Sequence, residues 1–264
     1  MKIFPKRVKP GGVCFVRVSG AGSTAQIHGE FRGKKFPLQF TEKNAFEALV
    51  GIDLNTSPGK YSVRVDGLPG TKDGGKIVSV QVEKTDFPTE SLSLPPSMVE
   101  LNPETEARAE RESKRFNELF RMSSEQRYWR GAFIRPVPGE LSTPFGVRRI
   151  INGQPKNPHS GIDLRGEEGT PVLATNGGKV ALTGDFFFPG NAVFLDHGAG
   201  VYSMYFHLSE IVAAEGDVVK KGSVVGKVGS TGRSSGPHLH FGVMIRGARV
   251  NPMSLINVTE NAAK

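Results

Sequence analysis

Residues 230–245 read Ser-Thr-Gly-Arg-Ser-Ser-Gly-Pro-His-Leu-His-Phe-Gly-Val-Met-Ile, a glycine- and serine-rich turn followed by a run that is typical of a strand. Side chains two residues apart leave the same face of a strand, so His238 and His240 are predicted to lie about 7 Å apart on one face, with Leu239 on the other. Burying two histidines on one face of an apolar strand costs free energy, so such a pair is expected to have a functional role. One of them can bind a metal ion while the other faces metal-bound water.

A second motif, residues 159–163, reads His-Ser-Gly-Ile-Asp. Pro158 and Gly161 disfavour a helix, so His159 and Asp163 are predicted to come from a loop that leads into a strand. Histidine and aspartate ligands with one open position are typical of catalytic zinc, whereas structural zinc sites tend to be closed and rich in cysteine. The chain has one cysteine, which excludes a cysteine-type structural site.

A third motif, Tyr-Phe-His-Leu at residues 205–208, means that four of the six histidines lie in three short motifs. The sequence contains no His-Glu-x-x-His pattern, so the usual glutamate base is missing. His207 and His238 are the candidates for proton transfer, because a histidine beside a dication stays neutral near pH 7 and can accept or donate a proton.

The regions around these motifs predict a mainly β protein. The first 97 residues alternate short β-like runs with Pro-Gly and Asp-Gly turns, which indicates a β-sandwich of immunoglobulin-like type. From Trp129 onward the pattern is again β, and residues 169–180 and 216–226 resemble each other and the hairpins of lipoyl- and biotin-carrier sandwiches. Neither stretch offers a lysine in the setting that a carrier modifies. The predicted strands are residues 13–18, 24–28, 31–40, 46–52, 60–65, 77–83, 172–174, 179–183, 192–196, 202–207, 224–228 and 238–245.

A helical connector is predicted between the two β regions. Pro95-Pro96 ends the first region, and Asn102 followed by Pro103 is a helix-start signal. The helix is predicted to run from Glu104 to Met122, mostly solvated, with an apolar face near its end. The predicted organisation is therefore an accessory domain at 1–97, a connector at 98–128 and a catalytic domain at 129–264.

In these motifs the sequence resembles the M23 (LytM/lysostaphin-type) zinc metallopeptidases, which cut peptide bonds in bacterial peptidoglycan. The resemblance covers about residues 133–252. It rests on an ordered set of motifs: Phe-Gly-Val-Arg at 145–148, Asn-Gly at 152–153, the three histidine motifs, Gly-Thr-Pro-Val-Leu-Ala at 169–174, Gly-Asp at 216–217, Gly222 and the turn at 230–237. The family fold is a mostly antiparallel β-sheet domain with a groove for an extended peptide.

The resemblance implies that one zinc ion is held by His159, Asp163 and His240, and that His207 and His238 flank its bound water. His197 matches a recurrent family histidine that is not a ligand, so we expect a structural role. A looser match of the connector and of Arg-Arg-Ile-Ile-Asn-Gly at 148–153 is to periplasmic members from Gram-negative bacteria. It favours a periplasmic or cell-envelope protein, although the first ten residues have no apolar signal region.

The net charge and the hydropathy of the chain limit the kinds of partner that it is expected to bind. The net charge of +8 predicts an anionic partner or surface, but the charge is spread along the chain without a basic stripe. Nucleic acid is therefore a weak interpretation, and a polyanionic cell wall or envelope is a comparable one. The family resemblance makes peptidoglycan the predicted partner and nucleic acid not. No run reaches the roughly 20 apolar residues that span a bilayer. The oligomeric state is left open.

Three features have plainer interpretations than a catalytic one. Cys14 lies in an apolar run and is interpreted as a small buried residue rather than a nucleophile. Residues 232–236 fit the Gly-x-Ser-x-Gly pattern of serine hydrolases, but a strand rather than a helix follows, so we interpret them as the turn that positions the two histidines. His28 stands alone. Three phenylalanines at 186–188 fit either a groove-edge loop or a buried strand.

The predicted function is hydrolysis of a peptide cross-link or stem peptide of peptidoglycan by a zinc endopeptidase, with His238 favoured over His207 as base. The alternative is a catalytically inactive LytM-type protein that activates a cell-wall amidase. Such proteins usually lack one or more of the ligands, and all five key residues are present here. The accessory domain is expected to position or restrain the catalytic one.

Overall fold

The computed structural model describes residues 1–68, 70–71, 75–93, 101–122 and 124–264. The described chain is mainly β, as predicted. The predicted end of the first domain at Pro95-Pro96 and the boundary between residues 97 and 98 lie outside the described residues, so the domain limits stay a prediction. Among the described helices, none is long and apolar enough to cross a membrane.

Two sheets form the N-terminal region. One has the strand order β1-β3-β7-β6 and the other the order β2-β9-β8-β4-β5. The immunoglobulin-like arrangement of this predicted sandwich stays a prediction. The strands are β1 (Lys2–Phe4), β2 (Arg7–Val8), β3 (Val13–Ser19), β4 (His28–Phe31), β5 (Lys34–Pro37), β6 (Gln39–Thr41), β7 (Ala45–Gly51), β8 (Gly59–Asp66) and β9 (Gly75–Val82).

Strands β3 and β7 are buried on both faces, which explains their nearly continuous apolar sequences. Cys14, Val16 and Val18 belong to the core between the two N-terminal sheets. The alternate residues Val13 and Phe15 belong to a second core, which they share with the C-terminal half. This alternation follows the two-residue period of a strand.

The described part of the predicted connector contains one helix, α1 (Pro103–Leu119), which follows the last strand of the region before it, β10 (Thr89–Leu92). Its N-cap Asn102 accepts a hydrogen bond from the Thr105 amide at 2.9 Å, as the sequence predicts. The rings of Phe116 and Phe120 pack on Phe194 with centroids 5.0 and 6.2 Å away. The helix therefore docks through its C-terminal end, as expected from its apolar face.

The C-terminal half is built on one large sheet with the order β11-β14-β21-β18-β17-β16-β19 and side pairings of β15, β20 and β22. The two similar segments pair with each other, since β15 pairs β20 and β16 pairs β19. A separate three-stranded sheet has the order β10-β12-β13. The strands of this half are β11 (Leu141–Thr143), β12 (Arg148–Ile151), β13 (Gln154–Lys156), β14 (Gly161–Arg165), β15 (Pro171–Leu173), β16 (Gly178–Phe186), β17 (Gly190–Gly198), β18 (Val201–Ile211), β19 (Val218–Val219), β20 (Val224–Val228), β21 (His238–Ile245) and β22 (Ala248–Val250).

A terminal helix, α2 (Pro252–Ala263), was not predicted. Its start repeats the signal that marked the connector helix, because Asn251 accepts a hydrogen bond from the Met253 amide at 2.9 Å and Pro252 follows it. The helix packs on β3, where Ser254 Oγ accepts a hydrogen bond from the Val13 amide at 2.9 Å. It therefore joins the two halves of the chain.

Candidate metal centre and active site

Adjacent strands place two of the predicted ligands opposite each other. β14 pairs with β21 so that Asp163 faces His240, while Leu239 is fully buried on the other face. His159 lies in the loop before β14, where its amide donates to the Val147 carbonyl at 2.9 Å. This is the predicted loop that leads into a strand. The structure therefore brings together three residues from two distant motifs.

The three side chains converge on one point. His159 Nε2 lies 3.0 Å from Asp163 Oδ1 and 2.9 Å from His240 Nδ1, and Asp163 Oδ1 lies 2.8 Å from His240 Nδ1. Each of these atoms can supply a lone pair, and His159 and Asp163 are buried. The group could hold a metal ion.

The donor set fits zinc. Zinc binds histidine nitrogen and carboxylate oxygen at about 2.0–2.1 Å, so two ligands of a tetrahedral ion lie roughly 3.3 Å apart. The observed separations of 2.8–3.0 Å need only small outward movements to reach that value. Three protein ligands also leave one tetrahedral position for water or substrate, which is the arrangement of catalytic rather than structural sites.

Neighbouring groups fix the orientation of each candidate ligand. His159 Nδ1 donates to the Pro144 carbonyl at 3.0 Å, and this directs Nε2 towards the other two residues. Asp163 uses its second oxygen, Oδ2, to accept from Arg149 Nη2 at 3.3 Å. The His240 ring stacks on Phe206 with centroids 5.3 Å apart and planes 10° apart.

His240 also explains a glycine in the His-Ser-Gly-Ile-Asp motif. A Cβ atom on Gly161 would lie 2.7 Å from His240 Nε2 and 2.6 Å from the Phe241 carbonyl oxygen. A larger residue would therefore displace the ring. Gly161 is required for close approach of the backbone to this side chain.

His207 and His238 lie beside the metal-binding group, with ring centroids 4.8 Å apart. His207 Nδ1 donates to the Thr231 carbonyl at 2.9 Å and His238 Nδ1 to the Gly236 carbonyl at 2.8 Å. Each neutral ring therefore carries its proton on Nδ1 and a free lone pair on Nε2. His238 Nε2 lies 3.8 Å from Asp163 Oδ1.

The backbone at His207 is unusual. Its φ of 65° lies in the left-handed region, which β-strand residues with a side chain rarely enter. The strand is irregular next to it, and its amide donates to the Pro189 carbonyl at 2.8 Å. Such strained positions cluster at functional sites.

Burial and the local contacts shift the pKa values of these groups. Burial alone would raise the pKa of Asp163, but its contacts with His159 and His240 outweigh burial and hold this pKa well below its usual range. Burial, with His240 nearby, lowers the pKa of His207 to about 4. Burial also lowers the pKa of His240. The shifts of His207 and His240 favour the neutral rings that metal ligands and proton acceptors must have.

The remaining histidines and the cysteine lie outside this group. His197 is fully buried, with Nδ1 2.6 Å from the Gly177 carbonyl and Nε2 2.7 Å from Ser203 Oγ, which agrees with the predicted structural role. His28 is exposed on β4. Cys14 is fully buried, burial raises its pKa to about 12, and its interpretation as a buried residue is confirmed.

The structure shows the local conformation of the two motifs with more than one interpretation, residues 232–236 and the three phenylalanines at 186–188. Residues 232–236 form a turn that leads into β21, so the serine-hydrolase pattern lacks its strand–turn–helix context. Ser234 Oγ lies 3.3 Å from His238 Nδ1 and helps to position that ring. Of the three phenylalanines, Phe186 is buried at the end of β16, whereas Phe187 and Phe188 lie in the turn before β17.

Sequence reasoning missed the groups that orient the site. Arg149 was visible in the Arg-Arg-Ile-Ile-Asn-Gly segment, but its contact with Asp163 depends on the pairing of distant strands. The carbonyl groups of Pro144, Thr231 and Gly236 carry no signal, because every residue has a carbonyl group.

Comparisons with known proteins agree with this geometry. The model of Peptidase family M23 matches residues 157–252. The chain is 45% identical over 128 residues to DD-carboxypeptidase/endopeptidase Mpg of Neisseria meningitidis, covering 48% of this chain and 30% of that protein. It is 41% identical over 114 residues to peptidoglycan DD-endopeptidase ShyA of Vibrio cholerae, covering 43% of this chain and 26% of that protein. The chain thus spans under a third of the length of these relatives.

A solved structure matches almost the whole chain. It is a peptidase M23 from Pseudomonas aeruginosa, with 35% sequence identity, a TM-score of 0.74 and coverage of 95% of both chains. The fold is therefore that of a peptidase, and its convergent His-Asp-His group could bind a metal ion. The chain belongs to peptidase family M23.

Proposed function

We propose that this protein is a zinc-dependent endopeptidase that hydrolyses peptide cross-links or stem peptides of bacterial peptidoglycan. The observation that carries the proposal is the convergence of His159, Asp163 and His240 within 3.0 Å of one another, with two further histidines beside them. The names of the Neisseria and Vibrio relatives favour an amide between D-amino acids as the scissile bond. They also favour the periplasm or cell envelope as the location, because peptidoglycan lies there.

One zinc ion per chain is proposed, with His159 Nε2, Asp163 Oδ1 and His240 Nδ1 as its ligands. When bound, zinc lowers the pKa of a water molecule towards about 7 and polarises a carbonyl group. The protein supplies an acidic ligand whose pKa is held low and a histidine ligand, His240, whose pKa is lowered by burial. Both shifts favour the protonation states that bind a metal ion.

His238 is the proposed general base. Its Nε2 faces the metal-binding group with a free lone pair, because Nδ1 is committed to the Gly236 carbonyl. The His238 side chain is also 19% exposed, against 8% for Asp163, so substrate can reach it. It is proposed to accept the proton of the attacking water and to return it to the departing amine.

His207 is proposed to stabilise the charge that develops on the carbonyl oxygen. Because Nδ1 donates to the Thr231 carbonyl, Nε2 can donate to that oxygen only after the ring takes up a second proton from solvent. That proton is separate from the one that His238, whose ring centroid lies 4.8 Å away, accepts from water and passes to the departing amine.

The test combines metal analysis with a peptidoglycan zymogram on the full chain. We expect one zinc ion and clearing for the wild type, loss of both in His240→Ala, and retained zinc with little clearing in His238→Ala. His28→Ala is the matched control, because His28 is exposed and outside the group. If His238→Ala loses zinc while His240→Ala retains it, the ligand assignment is wrong.

The same assay separates the enzyme from an amidase activator. An activator of the LytM type would give no clearing alone, even with zinc bound, and would stimulate an added amidase. Mass spectrometry of the released muropeptides then identifies the bond. Cleavage at D-amino acid cross-links, at glycine bridges or within stem peptides gives fragments of different mass.

A further inference from the structure

Arg233 lies in the turn that holds both proposed proton-transfer histidines. On one side of it, the Thr231 carbonyl accepts from His207 Nδ1 at 2.9 Å. On the other side, Ser234 Oγ lies 3.3 Å from His238 Nδ1. The backbone of Arg233 is therefore anchored at the edge of the site by its own neighbours.

The turn is fixed against the residues before β17. The Arg233 amide donates to the Phe188 carbonyl at 3.0 Å. Gly190 and Gly232 are packed so closely that a Cβ on Gly232 would lie 2.2 Å from the Gly190 nitrogen. Both glycines have positive φ, at 64° and 69°. Side chains at these positions would force the two segments apart.

The guanidinium of Arg233 stacks on the Phe188 ring, 4.2 Å from its centroid. Stacking of this kind fixes the plane of the guanidinium and leaves its N–H groups free to bind. The turn that carries Phe188 is itself held by α1, because the Phe187 amide donates to Glu112 Oε2 at 2.8 Å. The arginine is thus held in one orientation before any ligand binds.

Arg233 has no carboxylate partner among the residues that the structure describes. Arg233 is exposed to solvent, and partial desolvation by its neighbours and the nearby charge of Arg149 lower its pKa. Arg149 already contacts Asp163 at 3.3 Å and Glu90 at 3.9 Å. Two arginines that face one region, one of them unpaired, favour an anion there.

We propose that Arg233, held by Phe188, binds a free carboxylate of the peptide substrate and so selects peptides that carry this group next to the scissile amide. The planar guanidinium matches a carboxylate with two parallel hydrogen bonds. This inference rests on the proposed function, because it assigns the substrate class of the same site. The carboxylate can be a chain terminus or a side chain, and these two sources share the same chemistry.

The experiment uses the full chain with zinc and four synthetic peptides that contain one D-alanyl scissile amide. In one pair the C-terminus is a carboxylate or an amide, and in the other pair a neighbouring side chain is a carboxylate or an amide. We expect the wild type to prefer the carboxylate form of one pair by about 10–100-fold in kcat/KM, since a charged hydrogen bond contributes about 1.5–3 kcal/mol. The pair that shows the preference identifies the source.

Arg233→Gln should remove this preference by weakening cleavage of the carboxylate peptide, mainly through KM, far more than cleavage of the amide peptide. Arg233→Lys should retain part of it. Arg130→Gln is the matched control, because Arg130 is an exposed arginine paired with Glu42 and should leave the preference intact. Zinc content should be the same in all four proteins. Equal losses on both peptides, or a wild type without preference, would overturn the proposal.

Calorimetric binding of the same peptides separates this proposal from the proposed function. If no peptide is cleaved but the carboxylate forms bind more tightly in an Arg233-dependent manner, the inference stands and the enzymatic function fails. If cleavage occurs without any effect of Arg233 on the preference, the function stands and the inference fails. Absence of both overturns both.

Discussion

A buried carboxylate of the N-terminal sheets and a buried carboxylate of the C-terminal sheet have different charged partners. Glu47, 5% exposed on β7, lies between two cations, Arg17 at 2.8 Å and Arg127 at 3.0 Å. Asp163, 6% exposed on β14, directs one oxygen to Arg149 and the other to the imidazoles of His159 and His240. The first carboxylate contacts two arginines and serves the scaffold. The second contacts one arginine and turns its other oxygen to the point where the proposed zinc ion would bind.

Loss of the metal-binding carboxylate should have the largest effect. Asp163→Asn keeps the size of the side chain but removes the negative charge, so we expect zinc affinity and peptidoglycan hydrolysis to fall by more than 100-fold. Changes outside the ligand shell already cost about 10–100-fold in such sites. Metal titration and the zymogram measure both quantities. Near-normal zinc affinity in this variant would contradict the assignment of Asp163 as a ligand.

Removal of the paired carboxylate should instead reduce stability. Glu47→Gln leaves two partly buried arginines without their counter-charge, and we expect unfolding free energy to fall by about 3 kcal/mol, as for other broken buried pairs. Glu42→Gln breaks an exposed pair with Arg130 and should cost under about 1 kcal/mol. Urea denaturation of both variants makes the comparison. Equal costs would show that burial of the Glu47 cluster adds nothing.

The buried histidine outside the metal group should make stability depend on pH. Burial lowers the pKa of His197 from 6.5 to about 4, so the unfolded chain binds a proton between these values and the folded chain does not. This contribution is complete above pH 6.5 and is lost as the pH falls towards 4, by at most about 3 kcal/mol. Among the described residues, the ring's hydrogen-bonding partners are the Gly177 carbonyl and Ser203 Oγ, neither of them charged, and the Phe133 ring packs against it.

Urea unfolding at pH 7.5 and 4.5 measures this contribution. Wild type should lose more stability between the two pH values than His197→Gln, whatever the stability of that variant at pH 7.5. The exposed His28 offers the control, since His28→Gln should keep the wild-type dependence. An unchanged pH dependence in His197→Gln would show that His197 does not titrate as described.

The smallest expected effect is at the terminal helix. Asn251→Ala removes the N-cap of α2 and should lower unfolding free energy by about 1 kcal/mol. Asn55→Ala, on an exposed loop of the N-terminal region, should be nearly neutral. Thermal unfolding detects the difference, and a neutral Asn251→Ala would mean that packing alone holds the helix.

Most of the site was predictable because its residues carry distinctive chemistry. His238 and His240 on one face, and His159 and Asp163 at the entrance to a strand, follow from local spacing and turn residues. Arg149 and Arg233 were not assigned, because their roles depend on strand pairings and stacking between segments far apart in sequence. α2 was missed although Asn251-Pro252 repeats the Asn102-Pro103 signal. Its short apolar sequence has no charge pattern like that of α1.

Strands β3 and β7 contribute alternate residues to two cores, so the C-terminal half shares part of its core with the N-terminal sheets. Gly51 at the end of β7 packs so tightly that a Cβ there would lie 2.9 Å from the Ile245 side chain on β21. A recombinant fragment starting at residue 129 would carry away the catalytic groups but leave behind Val13, Phe15 and Leu49 of their shared core. The exposed apolar face would favour aggregation. The C-terminal half should therefore not be excised by itself. A fusion protein that contains it would need other apolar residues to bury the face that Val13, Phe15 and Leu49 cover here.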